Sequence, residues 1–215
     1  MKGSMSEIHL EILDKEKREV LTLLKAFKND GYLAGGTALA LQIKHRKSYD
    51  FDVFVGKSIG NRFKLKVRKI FGDVKMKVDT GDELSFTTRG GTGVTFLWYY
   101  FPTLHPLIET EFLSLASFLD IAADKAHTIG RRVVWRDYVD IFVLLKKRFV
   151  SLKEIVNLCK RKFGGDFNET LFLEQLVYFK DVEISPMEFV GEKHKQSEIR
   201  LYLERAVKEF IKKKL

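Results

Sequence analysis

LAGGTALALQIKHRKSYDFDVF, residues 33–54, is the stretch whose reading decides the fold. The apolar run Tyr32-Leu33-Ala34 leads into Gly35-Gly36-Thr37, residues 38–43 have a helical composition, and the chain returns as Asp50-Phe51-Asp52-Val53-Phe54-Val55. Alternate side chains of a strand share a face, so Asp50 and Asp52 project together while Phe51, Val53 and Val55 point into a core. Two carboxylates that close repel unless something positive lies between them, and oxygen ligands of this kind suit a hard divalent cation, Mg²⁺ or Mn²⁺. Paired glycines let the backbone approach another group, and the start of the following helix offers unpaired N–H groups that hold a phosphate. A metal seat and a phosphate seat thus fall on one short unit. The blander reading is a β-turn and an edge strand carrying two solvated aspartates.

Working outward, residues 7–28 read as a helix with Leu13, Val20, Leu24 and Phe27 on one stripe, ended by Asn29-Asp30-Gly31. Residues 61–71 form a basic helix whose apolar side is Phe63, Val67, Ile70 and Phe71; a solvated face accounts for its cations more simply than a nucleic-acid surface does. Three strand-like runs follow at 74–79, 84–88 and 94–101, joined by Thr80-Gly81-Asp82 and Gly90-Gly91-Thr92-Gly93, which predicts an antiparallel meander extending the sheet of Leu33 and Asp50. In the Trp98-Tyr99-Tyr100-Phe101 cluster, a strand with one core face is preferred over a base-stacking platform. From Ser117 the pattern is helical. Ser117 with Asp120 predicts a helix to about Ile129, residues 136–147 a second, Ser151 with Glu154 a capping box, residues 168–179 a further helix, Ser185-Pro186 another start, and residues 197–215 a last amphipathic helix. The expectation is an α+β chain: a mixed or antiparallel sheet core flanked by helices over residues 1–115, and a C-terminal helical bundle over 116–215 packed on it.

With 215 residues, 45% hydrophobic content and 18 Phe, the chain is long and apolar enough for one sizeable core and unlike a disordered protein. A formal net charge of +9 favours a polyanionic partner such as nucleic acid, although a solvated basic surface gives the same sum. The single cysteine, Cys159, cannot form an internal disulfide, which suits the reducing cytoplasm. No run is apolar enough to span a bilayer, and no signal peptide is visible, so a membrane partner is not expected.

A strand, Gly-Gly, a helix and Asp-x-Asp on the next strand resemble the signature of the nucleotidyltransferase superfamily that includes DNA polymerase β. In finer detail, Gly35-Gly36-Thr37 with Leu39 and Leu41, then His45-Arg46-x-Ser48-x-Asp50-Phe51-Asp52, resemble the AbiEii/AbiGii toxin-type nucleotidyltransferases. The segments GVTFLWYYFP at 93–102, Asp120 to Lys125, and Arg136 to Ile141 with Leu144-Leu145 fall where that family has them, so the likeness runs over residues 30–150.

The resemblance implies transfer of a nucleoside monophosphate from a nucleoside triphosphate to an acceptor hydroxyl, with pyrophosphate leaving. It implies Asp50 and Asp52 as catalytic metal ligands and Gly35, Gly36 and Thr37 as the phosphate seat, with Arg46 and Ser48 touching or bracing it and His45 beside them. Lys125, which by itself could snorkel to water, becomes a phosphate-binding or catalytic lysine. Arg136 joins the nucleotide-binding set. Asp137 and Asp140 share a helical face and either brace Lys125 and Arg136 or supply a base; bracing suits Asp137, and Asp140 is placed closer to the chemistry.

One departure stands out. Many relatives in the superfamily carry a third carboxylate on a later strand, and Val94 to Trp98 has none, leaving Thr95 or a neighbour in its place. Either two carboxylates and a helper such as Asp140 suffice, or the nucleotide pocket persists without catalysis. The implied partners are a nucleoside triphosphate, an RNA acceptor with transfer RNA foremost, and an antitoxin. The competing readings are a catalytically silent nucleotide- or RNA-binding module and an enzyme acting on a small-molecule acceptor.

Overall fold

A computed structural model of the chain describes residues 8–129 and 131–214, which form two compact units dividing between Ser117 and Phe118. Glu7, where the first helix was expected to begin, and Leu215, where the last was expected to end, lie outside the described residues.

In the first unit the opening helix starts later than its apolar stripe suggests. A 3-10 turn at Leu10–Ile12 is followed by extended Leu13, and α1 runs Lys15–Leu24. Asp14 sets that start, because its carboxylate accepts from the Lys17 N–H and satisfies one of the orphan donors of the first turn. A second 3-10 turn, Lys25–Phe27, carries the chain to β1, Gly31–Ala34. Then come α2, Gly35–Ile43; β2, Asp50–Val55; α3, Asn61–Phe71; β3, Met76–Asp79; β4, Glu83–Thr87; and β5, Gly93–Trp98.

The sheet order is β1-β2-β5-β4-β3, with β2 and β5 parallel and the other pairs antiparallel. The expected meander is present, and it joins the Asp-x-Asp strand through that one parallel pairing. Alternation sorts the two faces. Leu33, Phe51, Val53, Leu84, Phe86, Val94 and Phe96 are essentially inaccessible on one face. Phe27, Phe63 and Phe71 cover it, with ring centroids 4.8 Å (Phe27) and 5.0 Å (Phe63) from Phe96 and 5.0 Å (Phe71) from Phe86. A fully buried ring such as Phe27 contributes about 1.5–3 kcal/mol. The opposite face carries Asp50, Asp52 and Thr95.

β5 stops at Trp98 rather than Phe101, because its partners run out: β2 ends at Val55 and β4 begins at Glu83. Of the aromatic cluster only Trp98 is in the strand, and it is 38% exposed while Tyr100 is 71% exposed, so the expected core face is not formed there.

The second unit is helical: α4, Phe118–Ile129; α5, Trp135–Lys146; α6, Leu152–Phe163; α7, Glu169–Val177; and α8, Gln196–Lys212. α5 is buried on nearly every side, from Asp137 through Leu145. The Ser151–Glu154 capping box opens α6 as expected, and Asn168 caps α7 by accepting from the Leu171 N–H at 2.9 Å. No helix starts at Ser185-Pro186. That segment has no regular secondary structure, Val134 bridges Glu183, and Gly191 at φ +84° turns the chain before α8. α8 buries Ile199, Leu203 and Val207, one stripe at four-residue spacing.

Candidate active site

Two glycines make room for the acid pair and a third for Arg46 and Ser48. Gly35, at φ +64°, follows β1 and opens α2, and a Cβ placed there would lie 2.3 Å from Asp52 Oδ2. The Asp52 carboxylate therefore lies against the glycine elbow. Across the sheet Asp50 pairs with Gly93 on β5, where a Cβ would lie 2.6 Å from Asp50 Oδ1. A Cβ on Gly36 would lie 2.6 Å from Arg46 Nη2 and 3.2 Å from Ser48 Oγ. Any larger side chain at these positions would displace a carboxylate or the guanidinium.

The structure thus brings Gly35, Gly36, Arg46, Ser48, Asp50 and Asp52 to the end of the sheet where α2 begins. Asp50 is exposed, Asp52 half-buried, and Arg46, Ser48 and His45 are buried. Arg46 donates from Nη1 to the Lys47 carbonyl at 3.0 Å, which fixes the guanidinium beneath the α2 N-terminus. Thr37 is buried and donates its hydroxyl to the Asp50 carbonyl, tying the helix start to the acid strand. On the neighbouring strand Thr95 pairs directly with Asp52, and Ser85 on β4 pairs with Thr95. The position beside Asp52 is a hydroxyl, as expected from the absence of a carboxylate on β5.

The other sequence candidates belong to the helical unit. Lys125 on α4 does not snorkel to water: it is buried, with Nζ 2.7 Å from Asp137 Oδ1 and 2.6 Å from Asp140 Oδ2. Asp140, placed nearer to the chemistry than Asp137 by the sequence reading, shares this pairing and is fully buried, so both carboxylates hold one ammonium. Arg132, which the sequence reading overlooked, reaches Asp137 Oδ2 at 3.2 Å; Arg136 is half-buried on the same helix.

A second buried group was also not foreseen. Lys162 on α6 lies 3.3 Å from Asp120 and 2.7 Å from Asp124, so Asp120 serves a long-range ion pair besides standing in the first turn of α4. His127 stacks on Phe163 at 4.0 Å, and burial, then the Arg131 charge, holds its pKa down at about 4. Cys159 is buried against the Ala123 carbonyl, and burial pushes its thiol well above the usual range. Glu192, His194 and Glu198 cluster with the spacing of a metal site, but Lys146 Nζ lies 2.8 Å and 2.7 Å from the two carboxylates, so an ammonium already neutralises them.

Of the residues the sequence missed, Gly93 was legible only as the close of a glycine-rich turn; its place beside Asp50 comes from a parallel pairing that leaves no local signal. Lys162 had none, since it meets Asp120 and Asp124 only after α6 packs on α4, whereas Arg132 reaches Asp137 only five residues along the chain.

Chemically, the first unit offers two carboxylates on one strand face, a helix N-terminus and a buried guanidinium behind it. Such a donor set fits a hard divalent cation and a polyphosphate.

Comparison with known proteins gives three kinds of likeness. The family described as nucleotidyl transferase AbiEii toxin, type IV toxin–antitoxin system, matches residues 99–213. An uncharacterised protein of Aquifex aeolicus is 32% identical over 207 residues, covering 93% of this chain and 98% of that one. Among solved structures, JHP933 from Helicobacter pylori superposes with a TM-score of 0.61 at 22% identity, over 98% of this chain and 94% of that one. MenT4, a nucleotidyltransferase toxin of Mycobacterium tuberculosis, gives 0.64 at 14% identity, over 89% and 80%.

Proposed function

Because this chain belongs to the AbiEii nucleotidyl transferase toxin family, we propose that it moves a nucleoside monophosphate from a nucleoside triphosphate to an acceptor hydroxyl, releasing pyrophosphate and requiring Mg²⁺ or Mn²⁺. The observation that carries this reading is the seat of the Asp52 carboxylate against Gly35, the first residue of α2. It puts the acid pair and the helix N-terminus on the same few ångströms of chain.

Asp50 and Asp52 would hold the cation. Bound there, it supplies charge neutralisation to the triphosphate and polarises the reacting phosphorus. The Gly35-Gly36 backbone and the first turn of α2 hold a phosphate through N–H groups. Arg46 and Ser48 brace that turn from below, and Thr37 locks it to the Asp50 backbone. The acceptor oxygen forms its bond to the α-phosphorus as the bond to the β-phosphate oxygen breaks, and the protein's part is positioning and charge. Lys125 and Arg136 enter the proposal as phosphate-binding cations, with Asp140 and Asp137 acting through Lys125 by holding its ammonium. The acceptor is proposed to be RNA, transfer RNA foremost, and the protein to act in the cytoplasm as a toxin countered by an antitoxin. The net charge of +9 supports the RNA acceptor.

The test is incorporation of labelled nucleotide into total RNA by wild type, Asp50→Ala and Asp52→Ala. Transfer by wild type that drops at least about a hundredfold in each variant supports the enzyme. The hydroxyl of Thr95 beside Asp52 favours a second reading, a nucleotide- or RNA-binding module without catalysis. Wild type that binds nucleotide and transfers to no acceptor supports that instead.

A further inference from the structure

The end of the sheet away from the acids carries a groove of about 870 Å³, bounded by the end of β2, the loop after it and α3. Lys57, Arg62, Lys66 and Lys69 line it against a single carboxylate, Asp30. Asp30 is already paired with Lys66 at 2.6 Å. Among the described residues Lys57, Arg62 and Lys69 have no carboxylate partner, and all three are exposed.

α3 itself, NRFKLKVRKIF, has five cations and no acid in 11 residues. A merely solvated helix would scatter these charges. Here three of the five, Arg62, Lys66 and Lys69, line the concavity, while Lys64 is neutralised by Asp79 and Arg68 is exposed outside it. Leu65, 64% exposed, also lines it and offers an apolar contact. α3 opens in the same groove with Gly60 at its N-cap and no side-chain cap, leaving backbone N–H groups of the first turn to an acceptor.

We propose that this groove binds the sugar-phosphate backbone of the acceptor RNA, at a part of the molecule remote from the reacting hydroxyl. The occupant follows from the charge: closely spaced cations, a missing counter-charge and a concave path suit a chain of phosphates. Its remoteness follows from the strand. Asp50 and Val55 are the two ends of β2, roughly 16 Å apart at about 3.3 Å per residue. The groove starts at Val55, so it holds the body of an acceptor rather than the end that reacts. Binding energy gained there selects large polyanionic acceptors over small hydroxyl compounds.

This proposal rests on the RNA-acceptor reading above, and the experiment separates the two. Fluorescein-labelled bulk transfer RNA is titrated against the full chain, in EDTA and without nucleotide, across a salt series. The proteins are wild type and Lys57→Gln/Arg62→Gln/Lys69→Gln. Loss of three phosphate contacts is expected to weaken binding at least tenfold and to lower the slope of log affinity against log salt by about two. Thermal unfolding of the triple variant at the wild-type midpoint shows that exposed charges, not folding, were changed.

If the triple variant binds RNA with wild-type affinity and salt slope, the groove assignment is overturned while RNA remains the acceptor. If wild type ignores RNA yet transfers nucleotide to another acceptor, the RNA reading and the groove fall together, and the transferase stands.

Discussion

Gly35 shows how much of the site is decided by one missing carbon. Its φ of +64° lies in the left-handed region, and the space where a Cβ would sit is filled by the Asp52 carboxylate. Gly35→Ala is expected to cost about 1–3 kcal/mol of backbone strain and to push Asp52 out of line with Asp50. Gly56→Ala is the control, since a Cβ there meets nothing within 4 Å. Urea midpoints and nucleotide affinity measured on both variants check this: a Gly35→Ala protein as stable and as tight-binding as Gly56→Ala would contradict the elbow. The acid pair and the glycine elbow could be read from the sequence because they lie within 18 residues and the acids repeat at the two-residue period of a strand, whereas Arg46 and Ser48 came from the family resemblance alone. Gly93 could not be read, because its role depends on a pairing 43 positions away from Asp50.

At the scale of elements, legibility followed locality. The capping box at Ser151 and Glu154 is a three-residue signal and was readable, whereas the late start of α1 turned on Asp14, whose capping competes with an apolar stripe that begins before it. α5 was recognisable as a helix, but its burial on all sides and the convergence of Asp137 and Asp140 on Lys125 come from the packing of α4 on α5. Removing the ammonium takes a close cation from each of two carboxylates that are almost inaccessible. Lys125→Ala is therefore expected to destabilise the fold by about 3–5 kcal/mol, and Lys125→Met with Asp137→Asn and Asp140→Asn to recover much of that loss. Chemical denaturation gives both values, and a single-variant cost below about 1 kcal/mol would mean the cluster is hydrated and does not hold the helices in place.

On the scale of the whole molecule, the family match and the acid pair sit in different parts of the chain. Residues 99–213 carry the match, while the Gly35–Asp52 unit precedes it and stands on its own geometry. The α+β class and the antiparallel meander were legible from turn spacing. The parallel β2–β5 pairing that joins the meander to the acid strand was not, because parallel partners are set by a long crossover and leave no local turn signal. What unites the chain's features is the claim that Asp50, Asp52 and the α2 N-terminus take one cation together with a triphosphate. Mn²⁺ binding followed by electron paramagnetic resonance, with a non-hydrolysable nucleoside triphosphate present, measures that directly. The account predicts one tightly bound Mn²⁺ in wild type whose affinity falls at least tenfold in Asp50→Asn and in Asp52→Asn; equal Mn²⁺ binding by wild type and the double variant would contradict it.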